Sequence, residues 1–330
     1  MMRVPFVDRV GEIEFLSELA ERGSPFPLFI YGPEGCGKTR LLEELRDSLK
    51  AQGFLVLYLD AEESDLGRAL RGSSRELVDA VASVVSGFEG ALGKVVALAI
   101  AKVVEAYEHR YRFRGKRVVI AVDEVVEGIG LGEVERYAKV LHDLARDVVE
   151  LGAESILIIA TTSEEASRDA LSRHSYLHLS YLWNLGEEAF EELARALGAP
   201  RDAVEELYEL TSGNPRALID IATRSWRTGS WLEAIYAERI RPLRYERIVA
   251  AHVDDLERIV EDPDNASNAD PELRKLLIER NLITYLGNPL TPSTRPRPSA
   301  EMGIGNEFAW QLNAYRLLIK DRLIPQLHRE

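Results

Sequence analysis

An α/β fold built on a doubly wound parallel sheet is the expectation from this sequence, and two observations carry it. Short, continuous apolar runs rich in β-branched residues recur through the first half, and helix-like stretches separate them. Strands apolar on both faces are what a parallel sheet needs, because crossover helices cover it from either side. The candidates are residues 26–31, Leu55–Asp60 (LVLYLD), Arg117–Asp123 (RVVIAVD) and 155–160 (SILIIA), with a fifth within 176–182. From Leu185 onward helices dominate.

Composition bounds the class. With 330 residues, 46% hydrophobic and 29% charged, the chain fits a soluble globular protein with room for two or three domains. A formal net charge of −14 argues against a nucleic-acid binder held by bulk electrostatics, though it leaves room for a local basic patch. Cys36 is the single cysteine, so a disulfide scaffold is excluded. The opening Met1-Met-Arg-Val-Pro-Phe6 lacks the apolar core of a signal peptide. The apolar stretch 95–104 is bounded by Lys94 and interrupted by Lys102, too short to cross a bilayer. A cytoplasmic protein without membrane contact is expected. Abundant Arg and Glu with scarce Gln, Asn, Cys and Met suggest a hot-living source.

Between the second and third strands, residues 66–115 form a long excursion that reads as helices, broken near Gly87, Gly90 and Gly93. It is expected to pack on the sheet; a partner-binding apolar face is the alternative. Beyond the sheet, 187–197 and 202–210 have amphipathic helical spacing, and Gly213-Asn-Pro215 marks a stop and restart. After Pro242 the composition shifts again. Residues 263–270 and the basic, proline-rich 291–299 are loop-like, with a helix at 271–280, a strand at 282–285 and a final helix at 307–323.

The chemistry begins at Gly32-Pro-Glu-Gly-Cys-Gly37-Lys38-Thr39, between the first strand and a helix. Gly-x-x-x-x-Gly-Lys-Thr in that context is the phosphate-binding P-loop: backbone N–H groups turn inward around phosphate oxygens, and the helix presents its positive end. Gly32, Pro33, Glu34, Gly35, Cys36, Gly37, Lys38, Thr39 and Arg40 therefore form the candidate cradle. Lys38 would neutralise the β and γ phosphates, and the Thr39 hydroxyl would ligate Mg²⁺. Cys36 reads as an allowed variable position of the loop or as a reactive thiol. The third strand ends in Asp123-Glu124. Asp123 suits the Mg²⁺ site, and Glu124 suits a base that activates water. A nucleoside triphosphate with Mg²⁺ is the expected ligand.

At this point the sequence resembles AAA+ type ATPases, and more narrowly the archaeal ATPase family related to STAND signalling ATPases. Phe6-Val-Asp-Arg9-x-x-Glu12 is similar to the family's entry motif Phe-x-Gly-Arg-x-x-Glu, with Asp8 in place of the usual Gly. The resemblance implies that the nucleotide is ATP or ADP and that Phe6, Val7 and Arg9 line the adenine pocket. It assigns Thr162 or Ser163, after the fourth strand, to a first sensor of the γ-phosphate; a helix N-cap is the competing role. Ser172-Arg173-His174 is similar to the Ser-Arg-Cys element of clamp-loader ATPases, which makes Arg173 a candidate arginine finger, with Arg168 a second. Gly213-Asn214-Pro215-Arg216 looks like the family's lid motif, with Pro215 near the nucleotide and Arg216 as the second sensor.

The expected division is an ATPase core at 1–184, a helical lid at 185–241 and a winged-helix-like domain at 242–330. Two functions follow. The first is a regulatory switch driven by ATP hydrolysis, slow without a partner, contacting a protein through the excursion or the tail. The second is a DNA-associated ATPase whose Arg295 and Arg297 form a wing tip and whose Arg274, Lys275 and Arg280 face duplex DNA. A neighbouring subunit enters only if Arg173 acts in trans.

Overall fold

The computed structural model describes residues 4–63, 66–70, 72–81, 96–126, 130–162 and 165–329. Five strands make one sheet: β1 (Leu28–Tyr31), β2 (Leu55–Asp60), β3 (Arg117–Asp123), β4 (Ser155–Thr162) and β5 (His178–Tyr181), in the order β2-β3-β4-β1-β5. β2–β3, β3–β4 and β4–β1 pair in parallel, with Val122 opposite Ala160 and Tyr31 opposite Thr162. The order places β1 between β4 and β5. That makes the sheet of the α/β P-loop class.

The chain divides into two compact units. The sheet unit comprises Arg9–Tyr31 and Lys38–Ser180. Along each strand alternate side chains point to opposite faces. Val118, Ile120 and Val122 of β3 join Ile156, Ile158 and Ala160 of β4 in one buried cluster with Tyr107 and Leu141. These last two belong to helices Val96–Arg110 and Val134–Glu150. On the opposite face pack α1 (Val10–Arg22) and α2 (Lys38–Ala51), which bury Leu16, Leu41 and Leu45. The sheet is therefore doubly wound, as its apolar strands require.

The excursion between β2 and β3 buries Leu70, Leu77, Ile100, Val103 and Tyr107 in the sheet's own core, so its described part packs on the sheet. Gly87, Gly90 and Gly93 lie outside the described residues. The excursion also protects an edge. The Ser74 hydroxyl accepts from Val56 N at 2.9 Å, and the Ser73 hydroxyl both accepts from Tyr58 N and donates to Tyr58 O at 2.9 Å. These bonds occupy the outer backbone groups of β2, which would otherwise offer a pairing edge.

The helical unit comprises Met1–Asp8, Gly32–Gly37 and Tyr181–Glu330. Helices α3 (Glu187–Ala196), α4 (Val204–Thr211), α5 (Pro215–Thr223) and α6 (Thr228–Ile235) are followed by α7 (Val253–Glu261) and α8 (Pro271–Glu279). A two-stranded antiparallel sheet follows, β6 (Ile283–Tyr285) with β7 (Phe308–Trp310), and then α9 (Asn313–Leu318). Phe190, Leu218, Trp231, Ile259, Leu273, Ile283 and Trp310 share one core, so residues before and after Pro242 bury their apolar faces together.

One expectation is corrected here. Residues 307–310 do not begin the last helix; Phe308–Trp310 is a strand and the helix starts at Asn313. The reason is the Asp264 carboxylate. It accepts from the backbone N–H groups of Asn306, Glu307 and Phe308 at 2.8, 2.8 and 2.9 Å, fixing this backbone in a non-helical turn. Phe308 and Trp310, with side chains that favour strands, then pair with Tyr285 and Ile283. The strand expected at 155–160 continues to Thr162, and the other expected elements stand within a few residues. No helix among the described residues is long and apolar enough to cross a membrane.

Candidate functional site

The sheet unit carries a carboxylate group at the end of β3. Asp123 is 3% exposed. Its Oδ1 accepts from the Thr161 hydroxyl at 2.5 Å, its Oδ2 accepts from the Tyr58 hydroxyl at 3.1 Å, and the Thr39 hydroxyl donates to it as well. Burial pushes the Asp123 carboxyl above the usual carboxylate range, against the pull of the Thr161, Thr39 and Tyr58 donors. Burial and the neighbouring Asp123 charge push the Tyr58 phenol far up, so Tyr58 acts only as a neutral donor.

Glu124 is next in sequence, in the left-handed region at φ 48°. An ordinary residue held there marks a constrained position. Its N–H donates to Thr161 Oγ1 at 3.0 Å. One hydroxyl thus holds the Asp123 carboxylate and the Glu124 backbone together. Thr39 and Asp123, hydrogen-bonded to each other, are hard oxygen donors of the kind that suits Mg²⁺. Lys38, at the start of α2, is buried.

The helical unit contains the glycine part of the loop and what grips it. Gly35 has φ 80°, and a Cβ there would lie 2.4 Å from the Arg216 Cβ, so only glycine fits. At Gly32 a Cβ would fall 2.1 Å from Leu182 O. Asn214 caps α5: its Oδ1 accepts from Ala217 N at 3.0 Å, with Pro215 in the first turn. The Asn214 amide also donates to Glu34 O and to Asn184 Oδ1, both at 2.9 Å. Glu34 N donates to Gln311 Oε1 at 3.1 Å, and the Glu34 carboxylate pairs with Arg216 at 2.7 Å and Arg239 at 3.1 Å. Cys36 is 1% exposed, which fits packing rather than reactivity.

The profile of a family described as an ATPase domain predominantly from Archaea matches residues 6–221, roughly two thirds of the chain. The chain belongs to this archaeal ATPase family. An uncharacterized ATP-binding protein of Pyrococcus abyssi is 23% identical over 267 aligned residues, covering 72% of this chain and 80% of that protein. Solved structures with a weak likeness include domain III of the replication initiation protein DnaA of Thermotoga maritima, with 21% identity and a TM-score of 0.36. That match covers 72% of this chain and 98% of the other. AMPPCP-bound DnaA of Aquifex aeolicus has 20% identity and a TM-score of 0.38, covering 79% and 70%.

Within this ATPase domain the expected site residues fall into two groups. Lys38, Thr39, Asp123, Glu124 and Thr162 belong to the sheet unit, as do Arg9 and Arg173; Phe6, Val7, Gly32 to Gly37, Pro215 and Arg216 belong to the helical unit. Asp8, where the family usually has Gly, has φ 59°, a conformation that Asp tolerates. It lines a cavity of about 660 Å³ with Trp183, Leu185, Tyr208, Arg295 and Arg297. Arg9 forms a buried ion pair with Glu12 at 3.2 Å. Arg40 pairs along its own helix with Glu43 and Glu44, at 3.2 and 2.7 Å. Thr162 accepts from the Ser167 hydroxyl at 3.2 Å, Arg173 is exposed, and Ser163 lies outside the described residues.

Sequence reasoning missed Thr161, Tyr58, Asn184, Arg239 and Gln311. The strand register holds the signal for the first: with Val122 opposite Ala160, the next pair across β3 and β4 is Asp123 and Thr161. A tyrosine inside LVLYLD hinted at Tyr58. Nothing in the local sequence marks Arg239 or Gln311.

Proposed function

We propose that this ATPase domain binds ATP with Mg²⁺ and hydrolyses it, and that hydrolysis drives a regulatory switch. The observation that carries the reading is the hydroxyl–carboxylate cluster of Thr39, Asp123, Thr161 and Glu124 at the end of β3, in a chain with an intact phosphate-loop motif. Gly32 to Lys38 bind phosphate through backbone N–H groups and the ammonium. Thr39 and Asp123 would hold Mg²⁺ through their oxygens, and the ion would supply neutralisation of phosphate charge. Glu124 takes the proton of the attacking water at its carboxylate, and Thr161 holds Glu124 in place through its N–H. Thr162 or Ser163 senses the terminal phosphate, and Phe6, Val7 and Arg9 receive the adenine. Arg173 serves as a finger where a second copy is present.

The switch reading draws support from Asn214 and Arg216, which touch the loop itself at Glu34 and Gly35. We assign residues 1–184 to the core, 185–241 to the lid and 242–330 to a winged-helix-like tail, whose helix α8 and pair β6–β7 suit that form. A protein partner of the tail is favoured over duplex DNA. Arg274 donates to Ala266 O and Ser267 O, while Glu279 and Glu246 lie beside Lys275 and Arg280 and offset the positive charge at this end of α8.

The test is ATP hydrolysis by the purified protein, with and without duplex DNA, beside Glu124→Gln. Removing the base should lower turnover by about 10²- to 10⁴-fold while ATP binding persists. Turnover unchanged in Glu124→Gln would refute the assigned base, and stimulation by DNA would move the reading to a DNA-associated ATPase.

A further inference from the structure

Glu34 occupies a variable position of the phosphate loop, yet Asn214, Arg216, Arg239 and Gln311 all bond to it. Its carboxylate bridges two guanidinium groups: Oε1 accepts from Arg216 at 2.7 Å and Oε2 from Arg239 at 3.1 Å. Arg216 lies directly against the loop, its N–H reaching Gly35 O at 3.4 Å. Arg239 comes from the π-helical turn Tyr236–Ile240 that continues α6, and it belongs to no motif of the sequence. Tyr315 lies close to all three charges, and burial pushes its phenol up to about 12, so it stays a neutral hydroxyl.

Two features make this arrangement look like a receptor with a temporary occupant. A guanidinium fork accepts carboxylate and phosphate oxygens in the same geometry, and phosphate carries more charge. The side chains of Glu34, Arg216 and Arg239 are 33%, 67% and 43% exposed, so the pairs are weak and exchangeable. A third observation is independent of charge. The Gln311 amide that receives Glu34 N is buried, and its Nε2 has no hydrogen-bond partner among the described residues. A buried donor left unpaired is costly, and a shift of the loop or an incoming acceptor relieves it.

We propose that Arg239 joins Arg216, which the family resemblance already marks as the second sensor, in receiving the terminal phosphate of a nucleoside triphosphate, and that Glu34 is the built-in counter-ion of this pair, displaced when that phosphate arrives. The proposal rests on the reading that the loop binds ATP. Arg239 is then a second phosphate-binding residue, and Glu34 sets the preference for triphosphate over diphosphate, because ADP has no group that reaches for the two arginines.

The experiment is a titration of the full chain with fluorescent ATP and ADP analogues in the presence of Mg²⁺, for wild type, Glu34→Gln and Arg239→Gln, each checked by circular dichroism. Glu34→Gln should tighten the ATP analogue about five- to tenfold and change the ADP analogue less than about twofold. Arg239→Gln should weaken the ATP analogue by a similar factor, again sparing ADP, and it stands as the test should Glu34→Gln fold poorly. An ATP-to-ADP affinity ratio that stays the same in both variants overturns the counter-ion. If wild type binds neither analogue, the ATP reading itself falls, and the receptor with it.

Discussion

Replacing Thr161 by Val keeps shape and removes one hydroxyl, so its effect isolates what that hydroxyl does. Thr161 is fully buried and bonds two groups, the Asp123 carboxylate at 2.5 Å and the Glu124 N–H at 3.0 Å. A hydrogen bond to a charged group contributes about 1.5–3 kcal/mol, and an unpaired buried N–H costs about 1–3 kcal/mol. Since the valine methyl fills the space, no cavity term is added, and a loss of about 3 kcal/mol at neutral pH is expected. The pH dependence sharpens the test. Asp123 already holds its proton to higher pH than a free carboxyl does, so its contribution to stability falls as pH rises from the ordinary carboxylate range through its raised value. The Thr161 hydroxyl pulls that value down; without it the window extends upward. The penalty in Thr161→Val should therefore be largest near neutrality and shrink in acid, and the acid limb of ATP turnover should move to higher pH. Urea unfolding followed by far-ultraviolet circular dichroism at neutral and acidic pH measures the first, and a pH–rate profile the second. A loss under about 0.5 kcal/mol, within the range of a change that touches nothing special, or a loss equal at both pH values, would refute the reasoning.

Two further outcomes are expected. Gly35→Ala strains a backbone at φ 80° and drives a methyl to 2.4 Å from the Arg216 Cβ; nucleotide binding measured by titration should be lost, and a variant that binds normally would contradict the tight approach. Asp264→Ala removes the acceptor for three backbone N–H groups and should destabilise the helical unit by about 2–3 kcal/mol in denaturant melts. Although burial pushes the Asp264 carboxyl up, the donors of Phe308, Asn306 and Glu307 outweigh it and hold the carboxyl below its ordinary range. Its stabilising effect is thus fully present above about pH 4 and lost as pH falls through the lowered value, so the wild-type advantage over Asp264→Ala should vanish in strong acid.

What could be read in the sequence was local. The loop motif, the apolar strand ending in Asp123-Glu124 and the Asn214-Pro215 helix start are each determined by neighbours a few residues away, and all three stand where expected. Thr161 was out of reach because it depends on how β4 is registered against β3, and a shift of one residue would have put its hydroxyl on the other face. The strand at Phe308 was masked by helical spacing further along the same stretch, and only Asp264, 44 residues away, decides it. The partners of Glu34 share this character: each is supplied by a distant part of the chain.

That separation has a consequence for how the molecule comes into being. The segments of the sheet unit are complete once Ser180 has been made. The loop residues Gly32 to Gly37 emerge from the ribosome early, but Glu34 meets Arg216, Arg239 and Gln311 across 182, 205 and 277 residues. At roughly 5–20 residues per second, the last of these partners follows Glu34 by roughly 14–55 s of synthesis. Until then a growing chain carries the motif without the surroundings that hold its shape. Nascent chains cut short before Gln311 are thus born with an unfinished grip on the loop, so the capacity to hold nucleotide as the mature protein does arrives only after Gln311 has been made.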